Sequence, residues 1–304
     1  MLGRFQLRKE LHRGAAGEVW LARERDTREQ VVVRLAYERP AVERLRRESR
    51  ALARIGSAGG APGVPRWLAH GRCPDGSYGV VEEWIDGAQL SKVLRVTSPS
   101  PSRSAGWGRQ LAGALTAVHR AGVVHGDVHP DNVIVGRDAN GRDRLVLIGF
   151  SLSDAPRAVP RRPIRFARAA GRVTARGRRA ARSLGMIDVA SPEAIRGARP
   201  RAPGDIYALG AVLYRMLADR WPFMGPAVLD DQLATPPPPL GTFAPQMRLP
   251  PGFEQIVLRC LAKDRGQRWR SAADLDAELG AVEYAPHRDW VKVGVPPPIA
   301  TPVP

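Results

Sequence analysis

The first third of the chain is patterned for strands. Residues 1–35 alternate between apolar and polar side chains around a glycine-bearing turn, which predicts a hairpin. Val31–Leu35 and Tyr78–Ile85 are short apolar runs and predict buried strands. Between these runs, apolar side chains recur at helical spacing and predict a helix over residues 41–55.

From about residue 90 onward, helical spacing dominates. Leu111, Leu115 and Val118 mark one helix, and a short strand pair is predicted at 133–135 and 145–148. Later helices are predicted at Ile206–Leu217, Phe253–Leu261 and Ser271–Leu279. The order of elements therefore predicts an α+β chain, with a small strand-rich half followed by a larger helical half.

Composition and charge narrow the class of protein. Hydrophobic residues make up 43% of the chain and charged residues 25%, which is typical of a globular protein. The net charge of +17 is an arginine excess, since only four lysines are present, and it favours anionic partners. Two cysteines, Cys73 and Cys260, exclude a disulfide framework and a four-cysteine zinc site. With no apolar run long enough to span a bilayer and no signal-peptide core, we expect a cytoplasmic protein.

Six short motifs follow one another along the chain. They are the glycine turn His12–Val19, the strand ending at Arg34, the segment His125–Asn132, the segment Ile148–Ser151, the segment Ser191–Glu193 and the segment Asp205–Gly210. In this order and spacing they resemble the bacterial Ser/Thr protein kinase family over roughly residues 5–280. The resemblance implies an α+β, two-lobed protein-kinase-like fold, with a small β-rich N-lobe carrying one main helix and a larger, mostly helical C-lobe.

The resemblance also divides the chain. It implies an N-lobe at residues 1–85 and a C-lobe at residues 86–283, within which residues 149–193 form a basic activation segment. Residues 284–304 end in a proline-rich stretch, which predicts a tail or linker that does not belong to the packed fold.

Many site residues of the family have counterparts here. The resemblance implies that ATP and magnesium are held by a glycine loop, a strand lysine paired with a helix glutamate, a hinge, and a catalytic loop. The matching residues are Gly14, Gly17 and Val19 in the glycine loop, Glu48 on the helix, Glu83 and Ile85 at the hinge, Asp127 as catalytic base and Asn132 as metal ligand. Glu193 with Arg268, and Asp205, match residues that support the helical lobe and the catalytic loop.

The departures concentrate on the residues that handle phosphate and metal. The strand lysine is Arg34, which is longer and planar and therefore not an equivalent ligand. The metal-binding aspartate is Gly149, which offers no ligand, and the glycine that closes its motif is Ser151. The lysine that contacts the γ-phosphate is His129, and the arginine before the catalytic aspartate is Gly126.

This pattern favours a pseudokinase that acts as a regulatory or scaffolding module, for which bound ATP and magnesium are doubtful. The first alternative is an active but atypical Ser/Thr kinase that uses Asp127 as base. A lesser alternative is a small-molecule phosphotransferase, because the segment from His125 to His129 also resembles the catalytic loop of aminoglycoside phosphotransferases.

Glu82 occupies the position at the back of the adenine pocket, which is usually apolar. A buried carboxylate is costly unless it is paired, and Arg34 is expected to be its neighbour. We therefore predict that Glu82 and Arg34, with Glu48, form an ion cluster that fills part of the nucleotide pocket. The alternative is a one-residue shift in register that turns Glu82 outward.

The activation segment is strongly basic. Between Ala155 and Ile187 there are ten arginines and no acidic residue. Arg157–Arg182 is therefore a candidate docking strip for nucleic acid, acidic lipid or an acidic protein, and a solvated insertion is the alternative. Phe166 is its only aromatic residue, so few side chains could stack on nucleic-acid bases. A protein partner is expected for a regulatory or scaffolding module.

Overall fold

The computed structural model describes residues 2–14, 17–153, 187–243, 249–282 and 290–291. The described chain forms an N-terminal lobe built on a five-stranded sheet and a C-terminal lobe built mainly from helices. This confirms the predicted α+β, two-lobed architecture.

The N-terminal lobe is an antiparallel sheet with one long helix. Its strands are β1 (Phe5–Gly14), β2 (Gly17–Glu24), β3 (Gln30–Ala36), β4 (Trp67–Arg72) and β5 (Tyr78–Glu83), in the order β1-β2-β3-β5-β4. Val31, Val33 and Val81 lie on one face and are at most 1% exposed, which makes them the core of the sheet. The alternation of buried and exposed residues along β3 follows from the two-residue period of a strand.

Helix α1 (Arg39–Ser57) packs against this sheet. Pro40 stands in its first turn, where proline is tolerated because its missing N–H has no partner in the helix. Leu45 and Leu52 lie on the buried side, together with the carboxylate residue Glu48. The helix therefore carries one charged side chain into the space between itself and the sheet.

The C-terminal lobe is organised around a buried helix. Its helices are α2 (Leu90–Val96), α3 (Pro101–Arg120), α4 (Pro192–Ile195), α5 (Ala202–Ala218), α6 (Val228–Ala234), α7 (Phe253–Cys260) and α8 (Ala272–Ala281). Helix α5 is buried along most of its length and packs against α3 and α7. Within the described residues, none of these helices is long and apolar enough to cross a membrane.

A small three-stranded sheet carries the central motifs. It consists of β6 (Gly87–Gln89), β8 (Val133–Arg137) and β9 (Asp143–Leu147), with β8 in the middle. The segment His125–Asn132 leads into β8, and Gly149 follows β9. Because Val133 pairs with Leu147, the two motifs meet at the same end of this hairpin.

Most predicted elements are confirmed, and several short ones were missed. The predicted helix over residues 41–55 is longer by two residues at each end, and Ser271 caps α8 by accepting a hydrogen bond from the Asp274 amide (3.0 Å). Strand β4 and helices α2 and α6 had no clear periodicity in the sequence. A further two-residue strand, β10 (Trp290–Val291), pairs with β7 (Thr97–Ser98), so one part of the predicted tail is paired to the C-terminal lobe.

Candidate catalytic and nucleotide site

The loop before β8 is anchored to helix α5 by hydrogen bonds to Asp205. Its carboxylate accepts hydrogen bonds from the backbone amides of His125 (2.9 Å) and Gly126 (2.8 Å). The imidazole Nε2 of His119 donates a third (2.8 Å). Asp205 is only 2% exposed, so these bonds satisfy a buried carboxylate and fix the loop against helix α5. The resemblance predicts this role for Asp205, whereas no motif in the sequence points to His119.

Gly126 occupies a position that excludes a side chain. Its φ is +75°, a left-handed conformation that favours glycine. A Cβ atom built there would lie 3.2 Å from the Cβ of Pro200 and 3.3 Å from its Cγ. Pro200 therefore fills the space into which the side chain of another residue would project.

Asp127, His129 and Asn132 form one hydrogen-bonded group. The side-chain amide of Asn132 donates to the backbone oxygen of Asp127 (2.9 Å) and lies 3.2 Å from its carboxylate. The same nitrogen is 2.9 Å from Nε2 of His129. His129 is 6% exposed, so its imidazole is fixed inside the loop and does not extend into solvent.

His125 connects this loop to the second motif. Its Nδ1 accepts a hydrogen bond from the Asp127 amide (3.2 Å), and its Nε2 donates to the backbone oxygen of Ile148 (3.0 Å). Burial lowers the pKa of His125, which keeps the imidazole neutral with the proton on Nε2. Its ring also packs edge-on against Phe150, with centroids 4.6 Å apart.

Gly149 lies directly against Asn132. Its φ is +83°, and a Cβ atom at this position would lie 2.5 Å from Oδ1 of Asn132 and 2.9 Å from Nδ2. Real Cβ atoms do not approach other heavy atoms so closely, so any side chain at 149 requires Asn132 to move. Asn132 therefore fills the space that a side chain at 149 would need.

A buried ion cluster lies between α1 and the sheet. Nη1 of Arg34 hydrogen-bonds to Oε1 of Glu48 and lies 3.9 Å from Oε1 of Glu82. Glu48 is 1% exposed and Glu82 is 6% exposed. Burial raises the pKa of Glu82 to about 7, against the opposing effect of Arg34, and the negative charge of Glu48 raises it further. The predicted contact is confirmed, and the outward-facing alternative for Glu82 is wrong.

A second buried ion pair supports the C-terminal lobe. Arg268 makes two parallel hydrogen bonds to Glu193, at 2.7 and 2.8 Å, and the arginine side chain is 0% exposed. Burial raises the pKa of Glu193, but the hydrogen bonds and charge of Arg268 outweigh it, so the pKa lies below its ordinary value. The pair joins helix α4 to the segment before α8.

Comparison with known proteins decides the family. Residues 5–277 match the protein kinase domain family. The chain belongs to the protein kinase family. Among bacterial relatives, the Ser/Thr protein kinase pkn2 of Myxococcus xanthus is 30% identical over 292 residues, covering 93% of this chain and 33% of that protein. PknD of Mycobacterium tuberculosis is 30% identical over 284 residues, covering 90% of this chain and 39% of that protein.

A solved kinase structure agrees with the fold. The kinase domain of Mycobacterium tuberculosis PknI superposes with a TM-score of 0.62 at 19% identity, covering 91% of this chain and 94% of that one. The predicted family and fold are therefore confirmed. This chain spans about a third to two fifths of the length of pkn2 and PknD.

The predicted glycine loop joins strands β1 and β2, and ion pairs of Arg13 stabilise it. Gly14 pairs with Gly17 across the turn, and a Cβ at Gly17 would collide with the backbone oxygen of Leu35. Arg13 is bonded to Glu10 (2.7 Å) and to Glu18.

The position of the first family glycine in this loop is filled by His12. The Nε2 atom of His12 lies 3.0 Å from where a Cβ on Gly14 would be. The imidazole therefore lies directly against the loop backbone. Val19 pairs with Arg34 on β3, which places the end of the loop beside the ion cluster.

Glu83, which is predicted to lie at the hinge, is fixed by contacts from both lobes. Its carboxylate accepts from the Arg66 amide (3.1 Å) and from the Arg144 guanidinium (3.1 Å). Its own amide donates to the backbone oxygen of Arg66 (2.9 Å). Ile85, the second predicted hinge residue, lies two positions further along the chain and is 8% exposed. The contribution of Arg144 was not found from the sequence, because nothing in the sequence pairs β9 with the hinge.

The side chains at Gly149 and Asn132 do not supply the oxygen ligands with which an active kinase of this family binds magnesium. Gly149 offers no side-chain carboxylate, and the amide nitrogen of Asn132 is held by Asp127 and His129, so Oδ1 is the ligand atom that Asn132 has to offer. Among the residues that the structure describes, no cluster of three or more His, Cys, Asp or Glu side chains is arranged to hold a metal ion. Magnesium at a phosphate site is usually held by one or two carboxylates together with phosphate and water oxygens, and glycine at 149 removes the carboxylate that the family supplies beside Asn132. Ser151 lies two residues after Gly149.

The predicted docking strip Arg157–Arg182 lies outside the residues that the structure describes.

Proposed function

We propose that this protein kinase domain is a pseudokinase, which binds nucleotide weakly or not at all and acts as a regulatory or scaffolding module. The observation that carries the proposal is the contact between Gly149 and Asn132. The position that would supply a metal carboxylate is glycine, and the side chain of Asn132, whose amide nitrogen is held by Asp127 and His129, fills the space beside it.

The energetic consequence is a loss of transition-state stabilisation. Phosphoryl transfer depends mainly on positioning and on neutralising charge, so each missing electrostatic contact is expensive. Removal of one preorganised contact of this kind costs about 3–4 kcal/mol, or roughly 10²–10³ in rate. Gly149 and His129 stand at two such positions, and Asp127 alone does not compensate for both.

The ion cluster supports weak nucleotide binding independently. Arg34 pairs with Glu48, as the family's strand lysine does, but Glu82 is a second buried carboxylate 3.9 Å from the same guanidinium and competes with phosphate for it. Glu82 places a carboxylate where the family places an apolar side chain against the base. Adenine that enters beside it meets a buried polar group in place of an apolar wall, which is an unfavourable contact unless that group is hydrogen-bonded.

A thermal-shift titration tests the binding part of the proposal. We expect ATP, with or without magnesium, to raise the melting temperature by less than about 1 °C at millimolar concentration, because a ligand stabilises only in proportion to its occupancy of the folded state. A magnesium-dependent rise of several degrees contradicts weak binding.

Phosphate transfer to a generic basic protein tests the catalytic part. We expect the same background signal from the natural chain and from Asp127→Asn. Transfer that is present in the natural chain and abolished by Asp127→Asn overturns the proposal and favours the second candidate. Arg142→Gln, a change at an exposed arginine, serves as the matched surface control.

The second candidate is an active but atypical Ser/Thr kinase. It is favoured by the ion pair between Arg34 and Glu48, which joins β3 to α1, and by the presence of Asp127 on a well-fixed loop. The relatives pkn2 and PknD bear the name of Ser/Thr protein kinases. The small-molecule phosphotransferase stays a prediction that no contact described above favours.

A protein partner, a cytoplasmic location and the division into residues 1–85, 86–283 and 284–304 are part of the same proposal. The hinge at Glu83 and Ile85 supports the first boundary, since the five-stranded sheet ends there. Limited proteolysis followed by mass spectrometry tests the boundaries, and cleavage within residues 86–95 while both products stay folded would move the first one.

A further inference from the structure

A cavity of about 230 Å³ lies between the catalytic loop, helix α4 and the loop that joins α4 to α5. Six of the residues that line it have little or no side chain: Gly126, Ala190, Ala194, Gly197, Gly204 and Ala208. Ile187 and Val189 add larger apolar side chains to its wall. The cavity therefore offers a mainly apolar surface beside Asp127, which also lines it.

The acidic residues of the cavity wall are all engaged with other parts of the chain. Glu193 makes two hydrogen bonds with the buried guanidinium of Arg268. Asp205 accepts hydrogen bonds from two backbone amides of the catalytic loop. The carboxylate of Asp127 lies 3.2 Å from the side-chain amide of Asn132. The negative charges of the wall are therefore matched by donors of the same chain.

Two arginines of the cavity wall have no such match. Arg199 and Arg201 belong to the loop between α4 and α5, and both are exposed. Among the residues that the structure describes, no ion pair or side-chain hydrogen bond involves either arginine. The loop itself supplies no acid, since the sequence between Glu193 and Asp205 holds three arginines and no Asp or Glu. An apolar cavity thus lies beside positive charge that the described chain does not neutralise.

The size of the cavity limits what can occupy it. Pockets that enclose a drug-sized ligand measure about 300–1,000 Å³, and this cavity is smaller. It has room for one apolar side chain of a larger molecule. Because a guanidinium binds a carboxylate through paired hydrogen bonds, acidic residues next to that side chain would pair with Arg199 and Arg201.

We propose that this cavity is a docking site for an extended acidic segment of a partner protein. The segment inserts one large apolar side chain between α4 and the catalytic loop and places carboxylates on Arg199 and Arg201. Nucleic acid fits less well, because its binding relies on phosphate contacts, to which an apolar cavity adds nothing. The inference rests on the proposed scaffolding role only in assuming a protein partner, and it holds whether or not the loop transfers phosphate.

Fluorescence anisotropy of a labelled nine-residue peptide tests the proposal on the full chain without nucleotide. The peptide has leucine at its centre and four glutamates on either side, and because it has no hydroxyl side chain its binding does not report phosphate transfer. We expect replacement of the leucine by alanine to weaken binding at least about fivefold, because less apolar surface is then buried in the cavity. Equal affinity of the two peptides overturns the proposal.

A pair of double variants separates the site from the overall charge of the protein. Arg199→Gln with Arg201→Gln should bind the leucine peptide at least about fivefold more weakly, because the local ion pairs are lost. Arg142→Gln with Arg265→Gln removes the same charge from exposed positions elsewhere and should change affinity less than about twofold. Equal losses in the two double variants overturn the proposal.

A second pair of variants tests the cavity itself. Ala194→Leu narrows the cavity, whereas Ala198→Leu adds the same atoms at an exposed position outside its lining. We expect at least about fivefold weaker binding in the first variant and less than about twofold change in the second. Similar affinities of these two variants also contradict the proposal.

Hydrogen exchange on the natural chain covers the case in which the variants fail to fold. With the leucine peptide we expect new protection within residues 187–201, and protection that spares this segment overturns the proposal. Tighter binding of a twelve-base-pair duplex than of the peptide, lost only in the variant at Arg199 and Arg201, overturns the assignment of a protein partner. Failure of the peptide to bind leaves the thermal-shift result with ATP unchanged, so this inference and the proposed function fail separately.

Discussion

Asn132 occupies the space that a side chain at Gly149 would need. A Cβ atom at 149 would lie 2.5 Å from Oδ1 of Asn132, while Nδ2 of the same amide is 2.9 Å from His129. The two departures from the family therefore act together, because the imidazole at 129 holds the amide against the glycine. Replacement of one residue does not rebuild the family's metal site.

Gly149→Asp is expected to lower stability without restoring a metal site. The left-handed backbone and the contact with Asn132 should reduce the free energy of unfolding by about 1–2 kcal/mol. We expect no magnesium-dependent stabilisation by ATP in this variant or in Gly149→Asp with Arg34→Lys. Urea unfolding and thermal shift are the measurements.

Adding His129→Lys to that double variant should release Asn132, since a lysine has no acceptor for its amide. We expect only this triple variant to gain a magnesium-dependent shift. Gly113→Ala is the control, because nothing lies within 4 Å of its new Cβ in the middle of α3, and it should not lose stability. A magnesium-dependent shift in Gly149→Asp alone would show that Asn132 is not an obstacle.

The pKa of Glu82 makes stability depend on pH. In the folded chain this pKa is raised from 4.5 to about 7, so the unfolded chain releases the proton at lower pH than the folded chain. The contribution of Glu82 to stability is therefore largest below about pH 4.5 and is lost as the pH rises through about 7. Glu82→Gln stays neutral and should remove this component of the slope, which urea unfolding at several pH values between 5 and 8.5 would measure. Identical slopes in both proteins would contradict the assignment.

The cluster around Arg34 is predicted through the resemblance to the kinase family. Counting back from Asp86 and Gly87 puts Glu82 at the back of the adenine pocket, beside Arg34, and the register of β3 against β5 brings the two side chains together. Glu193 with Arg268 is likewise predicted through the family motifs. His119, Arg144 and Pro200 were not, because their contacts with the loop and hinge join segments that are distant in sequence and carry no local pattern.

The ion pair between Glu193 and Arg268 should dominate the stability of the C-terminal lobe. Glu193→Ala leaves a fully buried guanidinium without its carboxylate, and we expect a loss of about 3–5 kcal/mol in the free energy of unfolding. Arg109→Ala is the control, since its pair with Asp276 is exposed and should contribute less than about 1 kcal/mol. Similar losses in the two variants, by chemical unfolding, would show that burial does not set the energy.

Gly126→Arg should destabilise the catalytic loop rather than restore an anion site. The residue has φ +75°, and Pro200 lies 3.2 Å from where its Cβ would be, so the backbone and the new side chain are both strained. We expect a loss of about 1–3 kcal/mol in the free energy of unfolding.

Pro200→Gly in the same chain should recover part of this loss, because it opens the space beside residue 126 but leaves the positive φ. Chemical unfolding of both single variants and the double variant separates the two effects, because a recovery shows as a double-variant loss smaller than the sum of the single losses. Strict additivity would mean that Pro200 does not limit this position, and that the glycine is required by its backbone conformation alone.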